Sequence, residues 1–125
     1  MADITKKDIL NSAWTKLAVS SGAAAQTIDV TSEAHIVLYA RNTDANAATI
    51  TVSASTSRGM ITSGMGDLSV ALAQNEEAMV VLDYSRFRNA TDDDIDFVIT
   101  DADGSSFSGT VADVKVQALV FRPLR

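Results

Sequence analysis

Apolar and polar residues alternate with a period of two along most of the chain. In residues 49–54, TITVSA, Ile50, Val52 and Ala54 fall on one side and Thr49, Thr51 and Ser53 on the other. In 67–73, DLSVALA, Leu68, Val70 and Leu72 share a face; in 94–100, DIDFVIT, Ile95, Phe97 and Ile99 point one way while Asp94, Asp96 and Thr100 point the other. Residues 111–121, VADVKVQALVF, place Val114, Val116, Ala118 and Val120 together. Such alternation marks strands with one buried face. HIVLYAR (35–41) and AMVVLDY (78–84) are apolar on both faces and read as central strands. Weaker strands are expected at 14–19 and 26–30. SSG (20–22), NTDAN (42–46), QNEE (74–77) and DADGSS (101–106) supply turns between them. Residues 67–87, DLSVALAQNEEAMVVLDYSRF, read as a hairpin that ends in a serine–arginine–phenylalanine corner.

Strand follows strand with no long intervening helix, which excludes a parallel βαβ architecture. The expected fold is all-β: an antiparallel, jelly-roll-like β-sandwich of about eight strands. A short helix is expected over residues 6–11, with Thr5 as its cap, Asp8 at the third helical position and Ile4 packed on Ile9. Lys6 and Lys7 in its first turn oppose the helix dipole. The organisation read from the sequence is an arm or short helix over residues 1–12 and one sandwich domain over 13–125.

The 125 residues fit one domain, and the 46% hydrophobic content suffices for a core that needs no staples. There is no cysteine, hence no disulfide framework and no thiolate metal site. The net charge of −6 argues against non-specific nucleic-acid binding, which needs a basic face. The charge is unevenly spread. Residues 92–103 carry six aspartates, whereas 115–125 carry Lys115, Arg122 and Arg125 and no acid. No stretch reaches the length of a membrane span, and residues 1–10, MADITKKDIL, do not resemble a secretion signal. The expectation is a protein made in the cytosol, with no nucleic-acid or membrane partner.

Candidate chemistry is sparse. His35 is the single histidine and opens an apolar strand, with no nucleophile elbow anywhere in the chain. In DADGSSFSGTVAD (101–113) glycine stands at the fourth position instead of the sixth and no closing glutamate follows, so a calcium loop is not expected. The aspartates read as a solvated face that also protects sheet edges. A glycosidase pair would need one carboxyl raised by burial in a cleft, and these acids sit in turns and on polar faces. GMG (64–66) lacks the remaining glycine and the helix of a dinucleotide fingerprint, and NAT (89–91) is a glycosylation sequon in form only. Neither an enzyme nor a cofactor or metal site is expected. Trp14, Phe87 and Phe121 are expected in packing. Arg86 and Arg88 flank Phe87 at strand spacing, which puts Phe87 inward and both arginines outward toward a partner.

VLYARNTDANAATITVSA (37–54), GMGDLSVALA (64–73) and AMVVLDYSRF (78–87) together resemble an arrangement found in small virion proteins of tailed bacteriophages. A strand ending in Asn-Thr leads through a short loop to a Thr/Val-rich strand, GDL opens the next, and a corner containing Arg-Phe follows. In this sequence no residue separates Ser85 from Arg86, a departure from that corner. The resemblance covers about half the chain. It implies a capsid decoration (cement) protein, made in the host cytoplasm and carried on the virion, that binds the major capsid protein on the outer surface of a phage head and stabilises it. It also implies self-association as a homo-oligomer, a trimer by the habit of such proteins. The alternative from the same resemblance is a carbohydrate- or receptor-binding sandwich of a tail or fibre. Extended basic ends suit attachment across a seam between capsomers. The expected partner-binding residues are therefore Ile4, Lys6, Lys7, Ile9 and Leu10 near the N-terminus, Arg122 and Arg125 near the C-terminus, and Arg86 and Arg88 at the corner.

Overall fold

A computed structural model of the chain describes residues 2–4, 6–10, 24–28, 35–54, 66–88 and 94–122. Nine strands are found among them: β1 (Ala2–Ile4), β2 (Lys6–Leu10), β3 (Ala25–Ile28), β4 (His35–Asn42), β5 (Ala48–Val52), β6 (Leu68–Leu72), β7 (Glu77–Asp83), β8 (Ile95–Thr100) and β9 (Val114–Arg122). One helical turn, α1 (Tyr84–Phe87), links β7 to β8. The strands form two sheets, ordered β1-β3-β8-β5-β6 and β2-β9-β4-β7. The fold is an all-β sandwich, as the alternation predicts.

Alternation fills the space between the sheets. Burial follows every second residue in β5 and β8. Ile36, Leu38 and Ala40 from β4 and Val114, Val116, Ala118 and Val120 from β9 meet Ile50, Val52, Ile95, Phe97 and Ile99 from the facing sheet in one core cluster. Phe87 joins that core from α1. Its inward position agrees with the sequence reading.

Three features differ from expectation. Residues 6–10 form a strand in place of the predicted helix, and β2 runs parallel to β9 with Lys6 opposite Ala118 and Leu10 opposite Arg122. The two lysines were poor material for a helical first turn, and a long strand edge on β9 offers hydrogen bonds that a five-residue helix cannot match. Residues 67–87 do not form a hairpin, because β6 and β7 lie in different sheets and the turn between them crosses the sandwich. Nor is β7 a central strand. It ends its sheet, whereas β4 is flanked on both sides by β7 and β9.

The two parallel pairs, β1 with β3 and β2 with β9, both involve the N-terminal segment. β1 ends one sheet and β2 ends the other, and together they form one margin of the sandwich. At the opposite margin β6 and β7 end the two sheets, with no further strand beside them among the described residues. The expected strand at 14–19 lies outside the described residues, and that at 26–30 is found as β3.

Candidate docking site

The β6/β7 margin opens into a groove of about 220 Å³. Its floor is core: Leu38 and Ala40 from β4, Ile50 and Val52 from β5. Its walls are the inward faces of the two edge strands, Leu68 and Val70 on one side and Ala78 and Val80 on the other, with Ser69 and Met79 at the lip. These residues arrive there because β6 and β7 end their sheets, with no further strand beside them among the described residues. Val70 is 40% exposed, Met79 59% and Val81 60%, the large apolar residues most open to solvent among those described. Isolated exposed apolar side chains are ordinary; here Val70 lines the apolar groove, and Met79 and Val81 stand on the outer face of β7 beside it.

The groove's ends are acidic. Asp67 precedes β6 and Asp83 closes β7, while Glu76 and Glu77 stand at the turn between the strands, and all four are exposed. Tyr39 Oη donates to Glu77 Oε2 at 2.6 Å. That bond to the carboxylate, then burial, then the glutamate's charge hold the phenol above its ordinary pKa, and Arg41 opposes the shift.

At the turn end of the sandwich a polar cluster ties the inter-sheet loops together. Asn42 is fully buried; its Nδ2 donates to Asn46 O and Leu72 O, each at 2.9 Å, and its Oδ1 accepts from Asp44 N. Asp44 accepts from Asn46 N at 2.8 Å and Thr110 N at 2.8 Å. These two N–H donors, Asn46 first, hold its carboxyl below the usual aspartate range. Asn75 takes a positive φ of 66°, which asparagine tolerates, and its N–H donates to Asn42 O at 2.6 Å. One buried asparagine thus fixes where β6 ends and β7 begins.

The loop at 101–113 satisfies its own acids. Asp101 accepts from the N–H and hydroxyl of Ser108, and Asp103 from the N–H and hydroxyl of Ser105. Phe107 anchors the loop in the core. Among the described residues no three histidine, cysteine or acidic side chains are grouped to hold a metal ion, and no helix is long and apolar enough to cross a membrane. Asp94 and Asp96, read as solvent-facing, are half-buried.

The sequence-predicted partner residues divide between places. Ile4 ends β1 opposite Ile28, and Lys6, Lys7, Ile9 and Leu10 lie on β2, so both N-terminal groups belong to the β1/β2 margin. Arg122 is in register with Leu10 there. Arg125 lies outside the described residues, as does Trp14. Arg86 and Arg88 are half-buried, in place of the outward position expected of them. The Arg86 guanidinium sits 4.8 Å from the centre of the Phe87 ring and its Nη2 donates to Gly66 O at 3.5 Å. Arg88 bridges to Ile95. Sequence reading missed Val70, Met79 and Val81. For Met79 and Val81 the signal is AMVVLDY, apolar on both faces, which reads as a central strand; Val70 reads as one of the buried face of DLSVALA. No protein family, curated protein or solved structure matches this chain.

Proposed function

We propose that this chain is a structural docking protein of a phage virion, a decoration protein that seats on the outer surface of the head, binds the major capsid protein and stiffens the shell. The observation that carries this reading is the β6/β7 margin: an apolar groove between the two strands that end the sheets there. The segments of the virion resemblance fall on β4, β5, β6, β7 and α1, the elements that build or flank this groove. A protein that holds a shell together needs a rigid body and a self-sufficient contact surface, and no reacting group. Its groove is lined by aliphatic side chains, one methionine and one serine, with no aromatic ring among them, which favours a protein partner over a sugar.

On the shell, copies associate as a homotrimer. Two-fold pairing of β7 with itself, centred on Val80, would set Glu77 opposite Asp83 at both ends, and like charges directly opposed destabilise such a pair. The test is sedimentation of purified protein with heads of the phage that encodes it. Saturable binding to heads supports the reading, and protein left in the supernatant at every concentration refutes it.

A further inference from the structure

The two margins of the sandwich differ among the described residues. At one, the N-terminal strands β1 and β2 pair with β3 and β9. At the open margin β6 and β7 end their sheets, and the buried core residues Leu38 and Ile50 floor the groove between them. Along the groove the lining side chains are almost all apolar, so they offer little to orient a polar small molecule. The polar groups on hand are the backbones of the two edges, and an extended chain is the ligand that uses those.

We propose that the groove takes a donated strand: an extended segment of the protein it docks on, with aliphatic residues at alternate positions and lysine or arginine at both ends. This rests on the docking role proposed above and names the chemistry of the partner. The alternation matches the pleat, since every second side chain of an added strand would enter the groove. The basic flanks match the acids, with Glu76 and Glu77 at one end and Asp67 and Asp83 at the other. Arg86 lies near the second end, and its guanidinium is engaged by Gly66 O and the Phe87 ring. A second copy of β7 is disfavoured by those same acids.

The experiment titrates the full chain with a short synthetic peptide of alternating valine and threonine between paired lysines, and with its glutamate-flanked counterpart, followed by amide NMR shifts. The lysine peptide is expected to shift β6 and β7 amides and to bind about tenfold or more tightly than the glutamate peptide. Val70→Lys, at a half-open position, is expected to weaken it about tenfold, because a buried ammonium replaces an apolar wall. Met79→Lys at the lip provides a second variant, and melting curves verify that both fold. Glu77→Lys is expected to weaken the lysine peptide about threefold and to strengthen the glutamate one.

No binding of the lysine peptide, or shifts outside β6 and β7, overturns the proposal. Equal binding of both peptides overturns the charge assignment. A dimer that Val70→Lys dissociates, with no peptide binding, assigns the groove to a second copy and overturns it as well. Head sedimentation with the same variants separates the two readings. Peptide binding without head binding leaves the groove assignment standing and removes the virion role. Head binding unchanged by Val70→Lys, with no peptide binding, does the reverse.

Discussion

Asn42 shows how much of this sandwich depends on single polar side chains. It is fully buried, and all three of its described side-chain bonds go to backbone groups, two in the β4–β5 loop and one at the last residue of β6. Asn42→Ala leaves Leu72 O and Asp44 N without that partner, and a lost buried bond plus an unsatisfied group costs about 2–3 kcal/mol; urea denaturation measures it. Gly109→Ala tests the same cluster sterically. A Cβ there would lie 2.6 Å from the Asp44 carboxyl carbon, and the carboxylate is held by Asn46 and Thr110. The expected loss is about 1–3 kcal/mol, and Asp44→Ala in the same chain should remove most of it, since the two residues share one space. The cluster also sets a pH response. Asp44 and Asp103 are depressed by donated hydrogen bonds, Asp103 chiefly by the Ser105 hydroxyl. Their stabilisation is complete above the unfolded aspartate value, about 3.9, and is lost as pH falls through the lower folded values. Denaturation midpoints at pH 5 and pH 3 should therefore differ less for Asp44→Asn than for the parent chain.

At the scale of elements, the two-faced apolar run in β7 has consequences for binding with little bearing on stability. Met79 and Val81 project from the outer face of an edge strand and are more than half exposed. Met79→Ser and Val81→Thr should each change stability by no more than about 0.5 kcal/mol, in contrast to Asn42→Ala, while Met79→Ser lowers peptide affinity. Chemical denaturation beside a peptide titration checks both halves. The contrast also explains what was legible in the sequence. In β5 and β8 one face is buried and the other only partly, so alternation gives strand, face and core together; β9 is buried on both faces over 116–120, and its alternation gives only the core side. In β7 the composition is that of a covered strand, and nothing local tells whether the cover comes from the same chain. Residues 6–10 fail for a related reason: their helix signals are local and weak, and a pairing partner more than a hundred residues away decides the outcome. The crossing of β6 to β7 was hidden too, because QNEE signals a turn without saying which sheet the chain enters next.

The whole molecule is asymmetric in a way that gives it a direction. One margin carries β1 and β2, with the Lys6–Leu10 strand against the end of β9; the other holds an apolar groove with acids at its ends. Of the ends expected to grip the shell, Ile4, Lys6, Lys7, Ile9, Leu10 and Arg122 lie at the first margin, whereas the docking role proposed above rests on β6 and β7. Loop anchors such as Asn42 and Phe107 hold the body rigid, so the open margin is presented already formed and binding need not order it. Electron cryomicroscopy of phage heads carrying this protein tests that account most directly. The account predicts copies on the outer surface with the β6/β7 margin toward the shell and an extended capsid segment lying between the two strands. Heads with the protein seated by the β1/β2 margin, its groove facing solvent and empty, would contradict it.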